Sequence, residues 1–224
     1  YMQYAGYKTC ITGKWQLWSY NPPNFEPEWR GQGMLPENAG FDEYFLWHAG
    51  HTEDKGSRYA DPVILDNNGL RQDTEGKYGP DLYTEYLLDF AKRHQDEPFF
   101  IYYPMALTHG PFMPTPDSPG WIKDSQKSDL KNFKYMVEYT DKLIGRIMEG
   151  LDSLGLRDDT LVMFIGDNGS PNEVVSMLGN QPFQGGKGKS TDAGTRVPLV
   201  ASWGNCETGI TICDDLVDCS DFLP

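Results

Sequence analysis

No stretch of this 224-residue sequence stays apolar long enough to cross a bilayer. A spanning helix takes about 20 consecutive apolar residues, so the chain is read without a membrane span. Positive charge is scarce as well: 19 Lys and Arg stand against 33 Asp and Glu, a formal charge of −14. Proteins that grip nucleic acid do so with clustered Lys and Arg on phosphates, and this balance argues against a nucleic-acid partner. Cysteine is rare, with Cys10 alone near the start and Cys206, Cys213 and Cys219 together near the end. No Cys-x-x-Cys pair occurs and no histidine lies near the cluster, which argues against a zinc site. One disulfide among the last three cysteines is allowed. Neither an internal repeat nor a low-complexity tract is present, and no basic-then-apolar leader follows Tyr1.

The composition that remains, 38% hydrophobic, 13% aromatic and 23% charged, is that of an ordinary globular domain. The length suits one hydrophobic core. Residues 1 to 20 read as the end of a helix, a glycine turn and a short strand, punctuated by Gly6 and Gly13. Residues 19 to 80, rich in Pro, Gly, Asn and Asp, read as a long loop, and loops of that length in compact domains are usually functional. Leu82, Tyr83, Tyr86, Leu87 and Phe90 recur at helical spacing, and a strand from Phe99 to Tyr103 follows Pro98. Phe133, Met136, Val137, Thr140, Leu143, Ile144, Ile147, Met148 and Leu151 predict a helix between about Asp129 and Leu154, stopped by Gly155. Strands are expected at 161 to 165 and near Val197 to Ser202. The alternation of helix and strand favours an α/β fold with a mainly parallel sheet.

Gly166-Asp167-Asn168-Gly169-Ser170 follows the apolar run Leu161-Val162-Met163-Phe164-Ile165 directly. A strand ending in a carboxylate and a carboxamide places two hard oxygen donors at the carboxyl edge of a sheet, where open α/β folds bind ligands. Such donors suit calcium or magnesium better than zinc. Alone, the same residues are equally a turn.

Three further segments bear on that choice. Gly6-Tyr7-Lys8-Thr9-Cys10-Ile11-Thr12-Gly13-Lys14-Trp15-Gln16-Leu17 lies at the start. Pro98-Phe99-Phe100-Ile101-Tyr102-Tyr103 runs toward Thr108-His109-Gly110-Pro111. Gly185-Gly186-Lys187-Gly188-Lys189-Ser190-Thr191-Asp192-Ala193-Gly194-Thr195-Arg196-Val197-Pro198 comes after the Asp-Asn turn. In this order and at these separations the four segments resemble the type I, formylglycine-dependent sulfatase family of the alkaline phosphatase superfamily. The resemblance runs from the first residue to Asp221-Phe222-Leu223-Pro224. It implies a three-layer α/β/α sandwich with a mainly parallel central sheet, alkaline-phosphatase-like and incomplete at both ends, residues 1–224 forming part of one catalytic domain. The implied activity of the full-length parent is hydrolysis of a small-molecule or carbohydrate sulfate ester. The resemblance also sets a periplasmic or secreted location as the expectation.

By the same resemblance, Lys14 and Lys187 contact the sulfate or the nucleophile region, His109 protonates the leaving oxygen, and Asp167 and Asn168 are ligands of one calcium ion. The remaining calcium ligands and the formylglycine nucleophile are expected in an amino-terminal part outside this sequence. A lone lysine is by default a solvated surface charge, and a histidine after a strand can simply bond to backbone. The glycines around Lys14 and Lys187 weigh against that default. His48 and His51 fall where the family often places substrate contacts, in loose alignment, and His94, at a polar helix end, is expected to be solvent-exposed.

Two departures stand out. Gln16 occupies a position where the family usually has histidine, and a carboxamide can hydrogen-bond but cannot shuttle a proton. Neither Cys-x-Pro-x-Arg nor Ser-x-Pro-x-Arg, the motif that carries the nucleophile, occurs anywhere, so in isolation the chain is expected to be inactive. Two alternatives stay open: a phosphatase or phosphodiesterase of the same superfamily, and a non-catalytic anion- or glycan-binding protein on a degenerate scaffold. The first is disfavoured because no Asp-His pair follows the Asp-Asn turn.

Overall fold

The computed structural model of the chain describes residues 1–18, 32–47, 56–121, 125–204 and 209–222. A 3-10 turn, Gln3–Ala5, closes on Gly6 in the left-handed region and feeds strand β1, Lys8–Lys14. β1 is the centre of the sheet, and Cys10, Ile11 and Thr12 are wholly buried within it. The sheet has five strands in the order β4-β3-β2-β1-β5, where β2 is Glu43–Trp47, β3 Ile64–Asp66, β4 Gly69–Leu70 and β5 Phe99–Tyr102. β2 and β5 flank β1 in parallel, whereas β3 and β4 continue antiparallel.

The long segment read as loop therefore contains three strands. Tyr44-Phe45-Leu46-Trp47 is too short an apolar run to separate from a loop by periodicity. It becomes a strand because β1 offers a free edge with the matching register. His48 and His51 lie outside the described residues.

Helix α1, Gly79–Arg93, starts with Pro80 in its first turn, carries Asp81 there and ends on Lys92 and Arg93, each charge complementing the helix dipole. Its buried stripe of Tyr83, Thr84, Leu87, Phe90 and Ala91 packs on β1 and β2. Thr12 Oγ1 donates to the Tyr83 carbonyl at 3.2 Å across that contact. Helix α2, Asn132–Ser153, lays Met136, Tyr139 and Leu143 over the same core with Phe45, Tyr59 and Tyr78. On the opposite face Ile11, Trp15 and Leu46 pack with Phe41, Tyr44 and Leu65.

Strand β6, Val162–Ile165, pairs with β9, Leu199–Ser202, and this pair is antiparallel rather than parallel. A parallel return needs a crossover, usually a helix of a dozen residues or so. Here the connection folds into the hairpin β7, Val175–Leu178, and β8, Gln181–Gln184, followed by a single turn, α3, Asp192–Thr195. The β6–β9 and β7–β8 pairs are two-stranded sheets of their own, apart from the five-stranded sheet, which is parallel at its centre and antiparallel at its β3–β4 margin.

His94 is not solvent-exposed as expected. Its side chain is 16% exposed, bonded to Glu97 at 2.7 Å and Glu43 at 3.3 Å, with its ring on Phe90. Hydrogen bonding to Arg93, ahead of the His94 contact, holds the Glu43 carboxyl down at about 2. Cys213 and Cys219 are free thiols, so neither makes the disulfide that their clustering allowed, and Cys206 lies outside the described residues. No described helix is long and apolar enough to cross a membrane.

The two helices are clamped at one point. Tyr139 Oη donates to both oxygens of Asp81, at 3.0 and 2.9 Å, and Arg146 pairs with the same carboxylate. Replacing Asp81 by Ala strips a partly buried guanidinium and a phenol of their shared acceptor. The expected loss is about 1.5–3 kcal/mol of unfolding free energy, read by urea titration, with Tyr139→Phe costing less because Arg146 keeps its ion pair. An Asp81→Ala midpoint equal to that of the parent chain would show the clamp to be idle.

Candidate functional site

Lys14 is placed by backbone geometry. Gly13 sits at φ +117°, and a Cβ there would lie 2.4 Å from the Pro104 carbonyl oxygen. Only glycine permits that approach, which lets Lys14 N–H donate to Pro104 at 2.8 Å and ties the end of β1 to the exit of β5. Trp15 N–H meets Trp47 at 3.2 Å, and the buried Trp15 indole donates to Met34 at 2.9 Å. Lys14 is half-buried at the carboxyl end of the strand; Gln16, two residues on, is exposed and makes no hydrogen bond among the described residues.

The loop after β5 carries His109. Ala106 and Leu107 are buried, and Tyr59 Oη donates to the carbonyls of Ala106, at 2.9 Å, and His109, at 2.5 Å. His109 Nδ1 lies 2.6 Å from the Gly110 carbonyl oxygen and 3.2 Å from Arg58 Nη2. Arg58 also donates to that same carbonyl.

Asp167 and Asn168 leave β6 on a loop that is bolted to the Lys187 loop. Gly169 N–H donates to Gly194 at 2.9 Å, Lys187 N–H to Ser170 at 3.0 Å, and Gly185 N–H to Val174 at 2.8 Å. A Cβ on Gly169 would sit 1.9 Å from the Ala193 oxygen, and one on Gly185 would sit 2.1 Å from the Pro171 oxygen. The glycines of both motifs are therefore there for contact between two backbones. Asn172 Nδ2 adds a bond to the Lys187 carbonyl at 3.3 Å.

Charges on these loops act on Lys14 and on His109. Burial first, then the Arg58 charge, pulls Lys14 below the usual lysine value; Lys187 acts the same way and Asp167 opposes. Burial likewise leads in lowering His109, whose bond to Gly110 works against it while Arg58, Lys187 and Lys14 add to the shift. Four of the six residues singled out from the sequence are thus linked through charge: Lys187 acts on both Lys14 and His109, Lys14 acts on His109, and Asp167 acts on Lys14. Asn168 adjoins Asp167, while Gln16 is exposed and no bond among the described residues ties it to the group.

The described residues contain no cluster of three His, Cys, Asp or Glu side chains fit to hold a metal. Asp167 and Asn168 contribute two hard oxygens and no more. Cys10 is no stand-in for the missing nucleophile, since it is wholly buried and burial drives its thiol well above the ordinary range.

Arg58 was not evident from the sequence. It is 8% exposed, with its guanidinium 4.8 Å from the Trp47 ring and 5.3 Å from the Tyr59 ring, and no carboxylate pairs with it among the described residues. Nothing in Gly56-Ser57-Arg58-Tyr59 distinguishes this arginine from a surface one.

The chain is 30% identical over 218 residues to mouse N-acetylgalactosamine-6-sulfatase, covering 89% of this chain and 38% of that protein. It is 33% identical over 133 residues to a Bacteroides thetaiotaomicron N-acetylgalactosamine-6-O-sulfatase, which covers 55% of this chain and 25% of the relative. Among solved structures, the PsFucS1 sulfatase from Pseudoalteromonas sp. superposes with a TM-score of 0.61 at 22% identity, covering 90% of this chain and 43% of that one. A structure solved with its substrate D-glucosamine-2-N,6-O-disulfate superposes with a TM-score of 0.56 at 18% identity, covering 91% and 54%. These likenesses show the alkaline-phosphatase-like fold, of which this chain spans less than half the length of its curated relatives. The sulfatase family model matches residues 1–224, the whole of the sequence, so the chain belongs to the sulfatase family.

Proposed function

We propose that the complete protein hydrolyses a sulfate ester of a carbohydrate and that this chain supplies half of the site. The observation that carries the reading is that Lys14, at the end of β1, and Lys187, on the loop after β8, both act on the charge of His109 in a chain of net charge −14. A local positive well in an acidic protein is what a sulfate anion requires. The relatives named as N-acetylgalactosamine-6-sulfatases support a sulfated sugar as the substrate class.

Lys14 and Lys187 neutralise the sulfuryl oxygens, whose charge changes as the ester bond breaks. Asp167 and Asn168 fit a hard cation by their chemistry, as two of the six to eight oxygens that calcium takes. Calcium held there with ligands from outside this chain would add positive charge against the sulfate. A formylglycine from outside the chain would supply the attacking oxygen. His109 handles the leaving group. Its Nδ1 sits 2.6 Å from a carbonyl oxygen that can only accept, so Nδ1 bears a proton and a second proton must enter at Nε2. Only that doubly protonated ring can give a proton to the departing alkoxide.

Three outcomes follow from these roles. Incubated with calcium and a chromogenic aryl sulfate, the 224-residue chain alone should show no turnover; activity surviving stringent purification would mean that a nucleophile is present here. In the complete enzyme, Lys187→Ala should lower kcat/KM by about 2–4 kcal/mol, the effect of removing one preorganised charge-stabilising donor, with little change in melting temperature. A large fall in melting temperature with unchanged kcat/KM would make Lys187 structural.

The pH dependence follows from the depressed pKa of His109. The protonated ring exists only below a midpoint that lies under 6.5, so kcat/KM for a poor leaving group should fall as pH rises through that midpoint. The fold in turn favours the neutral ring, so its stabilising share is complete above 6.5 and declines as pH drops below it. His109→Gln should abolish that limb of the rate profile and depress the rate less for nitrophenol sulfate, whose leaving group needs little protonation. An unchanged profile in the variant would remove His109 from the proton transfer.

A further inference from the structure

Arg58 carries a full charge into the protein interior without a carboxylate to meet it among the described residues. An ion taken out of water is costly unless something replaces its hydration. The replacement consists of the Gly110 carbonyl and the faces of Trp47 and Tyr59, which suit a planar, weakly hydrated guanidinium. The backbone holds this arginine firmly. Gly79 N–H donates to Tyr59 at 2.7 Å, and a Cβ on Gly79 would lie 2.2 Å from the Arg58 carbonyl oxygen. Arg58 is thus seated against the start of α1 rather than free to swing.

His109 Nδ1 has two neighbours with opposite demands. Gly110 oxygen, at 2.6 Å, can only accept, and Arg58 Nη2, at 3.2 Å, can only donate. A bare Nδ1 would set its lone pair against the lone pairs of the nearer oxygen. The proton therefore stays on Nδ1, and Arg58 directs its N–H to the carbonyl, which accepts from both. Nε2 has no partner among the described residues.

We propose that Arg58 is a positioning residue for His109: it pins the Gly110 carbonyl against Nδ1 and so leaves Nε2 as the one ring nitrogen through which a proton passes to a ligand. The inference rests on the reading of His109 as proton donor and extends it to the residue behind the ring. A permanent charge at that distance also makes the imidazolium a stronger acid. The charged groups that act on the ring are Arg58 from the segment before β3, Lys187 from the loop after β8 and Lys14 at the end of β1, all cations. Tyr59 Oη donates to the carbonyls of His109 and Ala106 and not to the ring. Of the three, Arg58 alone touches the ring.

Nitrogen-15 imidazole spectra of the full-length protein, recorded from about pH 5 to pH 8 across the histidine range, read both the tautomer and the midpoint. His109 signals are identified by their loss in His109→Gln. In the parent protein the neutral ring should carry its proton on Nδ1. Arg58→Gln, which keeps a donor for the carbonyl but loses the charge, should raise the midpoint by about one unit. Arg58→Lys, which keeps the charge but lacks the planar fork, should retain the low midpoint and shift proton density toward Nε2. An Nε2-protonated neutral ring in the parent protein would overturn the proposal, as would an unmoved midpoint in folded Arg58→Gln. Loss of cooperative melting in both variants would also overturn it, since Arg58 would then merely hold the fold. No turnover is measured, so the outcome is independent of whether the protein hydrolyses sulfate esters.

Discussion

Burial of β1 on both faces is the constraint on which the remaining structure depends. Ile11 must be covered on one side, and Cys10 and Thr12 on the other, and each is fully removed from water. Leu46 with Trp15 supplies one cover, and the α1 stripe around Tyr83 supplies the other. At about 25 cal/mol per Å² of apolar area, the two-sided contact gives the strand little freedom to slip. A one-residue slip would exchange its two faces. The end of the strand is consequently fixed, and with it the height of Lys14 above the sheet.

Backbone contact turns that fixed height into a site. Gly13 against Pro104 joins β1 to the His109 loop, and Gly169 and Gly185 join the Asp167 loop to the Lys187 loop. Each approach is closer than any Cβ would allow, so the side chains on these loops are placed by main-chain contact rather than by one another. That arrangement suits groups of like charge. Two unit charges 4 Å apart repel by about 4 kcal/mol at an effective dielectric near 20, so lysines, arginine and imidazole would not gather unless the scaffold imposed it. The gathering is unfavourable for an empty pocket and favourable for an anion. The lowered pKa values of Lys14 and His109 both reflect it.

The long helices and the strands at 99 to 102 and 162 to 165 were legible because their apolar residues repeat at steps the backbone geometry dictates. β2 and its antiparallel neighbours were not, since three short strands in a segment rich in turn formers have no local pattern that outweighs the turns. The antiparallel β6–β9 pair escaped for a related reason: strand direction depends on where the connection goes, and alternation of helix and strand records only that a connection exists. His94 was misplaced because its two carboxylate partners come from different parts of the chain.

The sequence by itself determined the family, through four motifs in fixed order. Glycines flanking Lys14, Asp167 and Lys187 signal close backbone approach whatever the partner is, because no other residue permits it. Tertiary structure alone decided what those glycines approach and which charges act on His109. Arg58 shows why. It stands 51 residues from His109 in the chain, and what sets it apart is its burial and its bond to the Gly110 carbonyl beside the ring, properties of the space around a residue that are not written in its neighbours.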